Sequence, residues 1–415
     1  YEEIKNATKA GVDIKTDVTN DSDTEATGVS VKSTVYNKES DVISTQTDDI
    51  TVAAGKTETI SQSVDVANPK LWSVDSPNLY WVRTEIIQNG KVVDRTDSRF
   101  GIRYIATNPN SGFYLNGVHT KLNGVCEHSD LGSLGMETYQ AAVDRRIRTL
   151  KKYGVNAIRT SHNPVSPEFI EACDRLGMLV FEEAFDQWLY SKNSDDYHNY
   201  FNKAADGKTV VFDKAGNDNT NNDTSYIEVK REDLQSNAER DIKAMVDRDK
   251  NAPCIFAWST GNEIYDARYK HGENTLDMLT GWIKEIDTTR PVAACPPTWD
   301  NYWANNAQQE KHLAKAEMSG FNYATGQYDG AHSRYPNMVI FGSETVSAYY
   351  YRGVYFLEGE GSGDRCNEYP TYWTFSSATA SLEAHRDKTY TAGEFVWTGH
   401  DYLGEPTPRS WPSRV

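Results

Sequence analysis

Ala157-Ile158-Arg159-Thr160-Ser161, followed by Pro167–Leu176 and then by Leu179-Val180-Phe181-Glu182-Glu183-Ala184, reads as a strand, a helix and a second strand. The outer segments are short apolar runs that turn polar at their ends, and the middle segment carries apolar residues at helical spacing. A strand, a crossover helix and another apolar strand make the unit of a parallel sheet. From about Thr107 the same rhythm extends in both directions. Strands are expected at Leu122–Cys126, Ala157–Ser161, Leu179–Ala184, Ile255–Thr260, Val292–Ala294, Gly320–Tyr323, Val339–Ser343 and Gly393–Trp397. Helical periods fall at Glu137–Tyr153, Pro167–Leu176, Val229–Asp247, Thr275–Ile286 and Ala378–Asp387. Eight such strands in order favour a closed (β/α)8 barrel over an open doubly wound sheet. No GxGxxG or P-loop follows the first strand, which removes the usual nucleotide signals.

Ahead of this rhythm the pattern is different. From Gly11 to about Ile105 short runs alternate apolar and polar residues, as in Val12, Ile14 and Val18, then Val29, Val31 and Val35, then Ile60, Val64 and Val66. Turn chemistry at Asn20-Asp21-Ser22, Ala54-Gly55-Lys56 and Asn89-Gly90 separates them. Seven or so strands of this length describe an immunoglobulin-like β-sandwich. The 415 residues therefore divide into a sandwich over 1–106 and a TIM barrel over 107–415, a multidomain β and α/β chain.

The net charge of -17 repels phosphate backbones and anionic lipid, so a nucleic-acid or membrane partner is disfavoured and a neutral substrate fits. No apolar run reaches the roughly 18 residues of a membrane span. The five cysteines, Cys126, Cys173, Cys254, Cys295 and Cys366, are scattered and lack any CxxC pair, so buried free thiols are expected rather than a disulfide framework or zinc site. Unpaired cysteines lean towards a reducing cytoplasm over a secreted setting. No HExxH or comparable cluster calls for a metal, and no cofactor is expected.

Chemistry enters where polar residues interrupt the apolar strands at their C-terminal ends. The fourth strand, Ile255-Phe256-Ala257-Trp258-Ser259-Thr260-Gly261, delivers Asn262 and Glu263. The seventh, Met338-Val339-Ile340-Phe341-Gly342-Ser343, delivers Glu344. In a closed barrel these strands lie across the mouth from each other, so the two carboxyls can face one substrate. Glycoside hydrolysis needs such a pair, one protonated to serve the leaving oxygen and one ionised to attack the anomeric carbon, about 5 Å apart when configuration is retained.

At these residues the sequence resembles glycoside hydrolase family 2, the β-galactosidase and β-glucuronidase family. Trp258-Ser259-Thr260-Gly261-Asn262-Glu263 matches its acid/base motif and Gly342-Ser343-Glu344-Thr345 its nucleophile motif. Ile158-Arg159-Thr160-Ser161-His162-Asn163-Pro164, at the end of the second strand, is specific to the family. The resemblance implies that Arg159 supports the nucleophile, that Asn262 binds the sugar 2-hydroxyl and that His162 lines the pocket, with Asn163 beside it. It further implies that Tyr323 hydrogen-bonds the nucleophile and that Trp397 floors the sugar site. Asn123-Gly124-Val125-Cys126-Glu127-His128 and Phe181-Glu182-Glu183-Ala184-Phe185-Asp186 also match, which places His128 and Asp186 near the sugar. Physically, an arginine beside Glu344 favours its charged form, and an asparagine bond strengthens as charge develops at the anomeric centre. Taken singly, Arg159 also reads as a structural ion pair, His162 as a core imidazole and Trp397 as barrel packing. Their joint occurrence at several strand ends favours the site.

The expected activity is that of a retaining exo-β-glycosidase acting on a carbohydrate. The stretch Thr398-Gly399-His400-Asp401-Tyr402-Leu403-Gly404-Glu405-Pro406 resembles the β-galactosidase branch, and a β-glucuronidase is the alternative. A non-catalytic carbohydrate-binding barrel has no need of both Glu263 and Glu344. The chain departs from the family pattern in lacking the usual N-terminal jelly roll and in stopping at Trp411-Pro412-Ser413-Arg414-Val415, soon after the eighth strand, so a piece of a longer polypeptide is expected. Two segments, Gln187 to Ile227 and Tyr349 to Thr374, are long for simple connections and read as lids or subsite walls, or as surface insertions. Assembly into a homo-oligomer stays open.

Overall fold

The computed structural model describes residues 4, 6–189, 201, 235–298, 307–347 and 378–402. The chain divides into two compact units.

The first unit is a two-sheet sandwich. Strands β1 (Lys9–Thr19) and β4 (Thr57–Ala67) pair antiparallel, from Lys9 opposite Ala67 to Thr19 opposite Thr57. Strands β2 (Ala26–Tyr36), β3 (Val42–Val52), β5 (Tyr80–Gln88) and β6 (Lys91–Phe100) form a second sheet in the order β3-β2-β5-β6. The alternation seen in the sequence turns Val35, Val64, Val66, Tyr80 and Val82 into one core cluster and Val18, Val31 and Val52 into another. Asn89 and Gly90 both take positive φ, 51° and 75°, and close β5 onto β6 as a tight hairpin. Six strands form among the described residues instead of seven or so. The stretch between β4 and β5 carries Pro69 and Pro77, which cannot donate to a ladder, and it makes only an isolated bridge between Trp72 and Pro77.

The second unit is a closed, all-parallel eight-stranded barrel. Its strands are β7 (Leu122–His128), β8 (Ala157–Ser161), β9 (Leu179–Glu183), β10 (Ile255–Asn262), β11 (Val292–Cys295), β12 (Met318–Asn322), β13 (Ile340–Val346) and β14 (Gly393–Trp397). Pairing of β14 with β7, Leu122 opposite Gly393 through Val125 opposite Val396, closes the ring. Around it lie α1 (Gln140–Lys152), α2 (Pro167–Leu176), α3 (Asn237–Asp249), α4 (Lys270–Ile286), α5 (Ala307–Lys315), α6 (Tyr328–Arg334) and α7 (Ala378–Asp387). Helix α2 shows why the sequence specifies it: Ser166 caps its first turn by accepting from Phe169 N, Pro167 opens it, and Gly177 in the left-handed region ends it. Helix α3 starts at Asn237, capped by Ser236, and not at Val229; residues 229–234 lie outside the described residues.

The barrel interior is packed by Phe181, Phe256, Phe341 and Phe395, in ring contact with one another. Gly124 leaves room for them, since a Cβ there would stand 2.4 Å from the Phe395 ring. Two residues further along their strands, Phe181 and Phe395 give way to Glu183 and Trp397, so the packed floor changes into a polar mouth. Cys126, Cys173, Cys254 and Cys295 are buried free thiols; Cys366 lies outside the described residues, as do Tyr349 to Thr374, most of Gln187 to Ile227, Leu403 to Pro406 and the final Trp411–Val415.

Candidate active site

The polar mouth is organised around Arg159, whose side chain is fully buried. From β8 it reaches residues of β9, β10 and β13 and spends every donor. Its Nε and Nη2 hold Glu183 at the end of β9, with Nη2 2.8 Å from Oε2 and Nε 3.2 Å from the same oxygen. Nη2 also donates to Asn262 Oδ1 at 2.8 Å, while Nη1 donates to Ser343 O at 2.9 Å and to Glu344 Oε2 at 3.0 Å. Burial disfavours the charged guanidinium, but the surrounding carboxylates outweigh it and keep Arg159 protonated.

Glu344, in β13, is 5 % exposed. Its second oxygen, Oε1, accepts from the Tyr323 hydroxyl, and its backbone oxygen accepts from Tyr323 N at 2.7 Å. Tyr323 follows β12 directly and takes φ 54°, a left-handed conformation unusual for a tyrosine that turns the ring back over β13. Burial, then the charges of Glu344 and Glu263, push its phenol well above the usual range, so it remains a donor.

Glu263 follows β10 and also has positive φ, 46°. It is partly exposed, in contrast to Glu344, and its charge acts on Tyr323. Gly261 is required just before it, because a Cβ would meet Ile264 Cδ1 at 2.6 Å and Phe185 O at 3.0 Å. Asn262 between them bridges the site: its Oδ1 receives Arg159 and its Nδ2 donates to Asp186 Oδ1 at 2.9 Å. With Val346 (φ 74°) and Ser347 (φ 49°) at the end of β13, four non-glycine residues at one barrel mouth are left-handed, at a cost on the order of 1–3 kcal/mol each, a pattern that concentrates at functional sites.

A wall of rings stands beside these carboxyls. His162 stacks on Trp397 with centroids 5.3 Å apart and planes 6° from parallel, and His128 meets Trp397 edge-on at 5.2 Å. Tyr402 lies 4.5 Å from the His128 ring. His162 Nδ1 is 2.7 Å from Glu183 Oε1, and its Nε2 is 4.0 Å from Glu344 Oε2.

Of the residues expected from the sequence, Arg159, His162, Asn262, Tyr323, Glu344, Asp186, Trp397 and His128 form one connected network. Glu263 joins it electrostatically. Asn163 does not join: it is exposed and makes no side-chain hydrogen bond among the described residues. Further residues without an expected role join the network, Tyr402 through the His128 ring and Ser343 through its backbone oxygen among them. Glu183 anchors Arg159 and His162, Ser259 donates to Glu183 Oε2 at 2.7 Å, and Asn322 lies 3.4 Å from Asn262 Oδ1 while accepting from Ser343 Oγ. The signal for Glu183 was present in Phe181-Glu182-Glu183: with Phe181 inward, strand alternation sends Glu183 to the mouth and Glu182 outward to Arg248. Among the described residues no group of His, Cys, Asp or Glu could hold a metal ion, and no helix is long and apolar enough to cross a membrane.

Residues 107–318 match the family described as "Glycosyl hydrolases family 2, TIM barrel domain", and residues 1–103 match "Glycosyl hydrolases family 2". A β-galactosidase of Bacteroides ovatus, BoGH2A, is 30% identical over 98% of this chain and 49% of its own length. A β-glucuronidase of Bacteroides fragilis is 22% identical over 81% of this chain and 44% of its own. The crystal structure of a glycosyl hydrolase family 2 member from Bacteroides cellulosilyticus superposes with a TM-score of 0.72 at 30% identity, over 97% of this chain and 45% of that one. The chain thus spans about half the length of the curated relatives it matches.

Proposed function

This chain belongs to glycosyl hydrolase family 2, and we propose that it is a retaining exo-β-glycosidase that releases terminal β-D-galactose, with the chemistry in residues 107–415. Glu344 is the nucleophile and Glu263 the acid/base. The observation that carries this reading is the setting of Glu344, gripped on one oxygen by Arg159 and on the other by Tyr323, a phenol that also feels Glu263.

In the first step Glu263 gives its proton to the glycosidic oxygen while a Glu344 oxygen attacks the anomeric carbon. The aglycone leaves as an alcohol and the sugar stays on Glu344 as an ester. In the second step Glu263, now a carboxylate, takes a proton from water, whose oxygen attacks the same carbon and frees Glu344. Two inversions leave the β configuration. Arg159 and Tyr323 hold the nucleophile in place, and Tyr323 supplies a proton-bearing oxygen that stays behind when attack begins. Asn262, set between Arg159 and Asp186, offers its amide to the sugar 2-hydroxyl as charge grows. Trp397, His162 and His128 present ring faces to the sugar. Asn163, exposed at the rim, is free to meet substrate polar groups.

The galactoside preference is supported by the resemblance to the B. ovatus β-galactosidase along nearly the whole chain. The B. fragilis relative favours a β-glucuronide as the second reading. Initial rates on aryl β-galactoside, β-glucuronide, β-glucoside and β-mannoside separate them, with the galactoside expected to be turned over fastest. Proton NMR of the first-formed sugar is expected to show the β anomer, and an α anomer first would overturn retention. Folded protein that hydrolyses none of the four would sink the enzymatic reading.

A further inference from the structure

We infer that Glu183 is a positioning residue that sets the nucleophile indirectly, by aiming both Arg159 and His162 at the same oxygen of Glu344. The inference rests on the glycosidase reading above and goes beyond it, because Glu183 touches neither substrate space nor Glu344.

The side chain of Glu183 is fully buried and saturated with donors. Oε1 takes His162 Nδ1 at 2.7 Å and Arg159 Nη2 at 3.1 Å; Oε2 takes Arg159 Nη2 at 2.8 Å, Arg159 Nε at 3.2 Å and Ser259 Oγ at 2.7 Å. Its backbone N–H donates to Thr160 Oγ1 at 2.9 Å, which ties β9 to β8 at this level. Burial works against its charge, but Arg159, His162 and Ser259 more than compensate and hold the carboxyl below the usual range. Glu183 is therefore an acceptor only.

Two consequences follow. An acceptor-only carboxylate requires the proton of His162 to sit on Nδ1, so the nitrogen left facing the mouth is Nε2, 4.0 Å from Glu344 Oε2, with the ring plane fixed against Trp397. The fork of Arg159 is likewise occupied through Nε and Nη2, which leaves Nη1 alone for Glu344 Oε2. The charge balance also matters. A buried guanidinium facing Glu344 alone would form a closed neutral pair, which is a poor nucleophile. With Glu183 added, the trio carries one net negative charge, and Arg159 orients Glu344 without quenching it. The other groups acting on Glu344 are Tyr323 beyond β12 and Cys126 from β7, whose thiol burial keeps protonated, while Glu263 beyond β10 acts on Tyr323.

The test compares Glu183→Gln and Glu183→Asp with the wild type on the preferred aryl glycoside, normalised to active sites by trapping the glycosyl-enzyme, with a crystal structure of each variant. Glutamine removes the charge and turns one acceptor into a donor. It is expected to lower kcat by up to about 100-fold, with KM changed less than about threefold, and to move the acid limb of kcat/KM to lower pH, because Arg159 then faces Glu344 uncompensated. Aspartate keeps the charge but is too short to span both partners, so it is expected to lower kcat with the acid limb unmoved; it carries the test if the glutamine variant does not fold. In the crystal, the His162 ring is expected to leave its stack on Trp397 or Arg159 Nη1 to leave Glu344. A merely structural Glu183 gives variants that melt earlier yet keep wild-type kcat per active site, acid limb and side-chain geometry, and that result overturns the inference. If the wild type hydrolyses no glycoside, the proposed function fails, and the crystal structures alone decide whether Glu183 aims the two side chains.

Discussion

Glu263→Ala is expected to lower turnover of a β-galactoside with a poor leaving group by about 10²–10⁴-fold, the usual contribution of general acid–base catalysis. A dinitrophenyl galactoside should escape most of this loss in its first step, because that leaving group departs without a proton. The glycosyl-enzyme then accumulates, since no base remains to activate water. Azide needs no base, so it should restore turnover and yield a β-glycosyl azide. Glu344→Ala should behave oppositely: leaving-group activation gives no relief, and azide entering the vacated space attacks from the opposite face to give an α-glycosyl azide. The structure motivates the division of roles by environment. Glu344 is nearly enclosed and held at both oxygens, as suits a group that must remain in place and attack, while Glu263 is more exposed and able to exchange protons with water and aglycone. Chromatography and NMR of the azide products decide the matter, and an α product from Glu263→Ala would exchange the two assignments.

The barrel was legible because parallel strands covered on both faces must be apolar along their length and change character only at their ends. The strands Ala157–Ser161 and Gly393–Trp397 have the bounds expected, and Arg159 in the first and Trp397 at the end of the second belong to the network at the mouth. Helices α5 and α6 were not legible, for a physical reason. Helix α5 buries Gln309, Glu310 and His312 beside Leu313, so its inward face has no apolar period, and α6 is seven residues long with only Tyr328 and Ala331 buried. In the site, family motifs drew attention to the residues proposed to meet substrate; strand alternation places Glu183 at the mouth, but its bonds to other protein groups are displayed by no single-strand pattern. Asn163 shows the converse: membership of a specific motif does not put a side chain into the charged network.

The fold also contains a buried carboxyl outside the site, and it makes the stability of the barrel depend on pH. Glu394 lies in β14 between the inward Gly393 and Phe395, so its side chain turns away from the barrel axis. It is 3 % exposed and accepts from the Tyr328 hydroxyl at 3.0 Å, in a space that exists because residue 342 is glycine; a Cβ there would stand 2.0 Å from Glu394 Oε2. Burial pushes this carboxyl up to about 8, with Tyr328, Lys121 and Thr345 pulling only partly back. Between the unfolded value of about 4.3 and about 8, the folded chain holds a proton that the unfolded chain has released. Stability must therefore fall as pH rises through that window, by something on the order of 5 kcal/mol at its upper end. Lys121, which burial pushes down to about 8, acts above it with the opposite slope, since there the unfolded chain binds the extra proton. Glu394→Gln keeps an acceptor for Tyr328 and has no charge to bury. The variant is expected to melt with the wild type near pH 4 and several degrees above it at pH 8, as followed by calorimetry across that range. Equal losses at both pH values would mean that Glu394 is ionised in the fold and that its attraction to Lys121 outweighs the cost of burial.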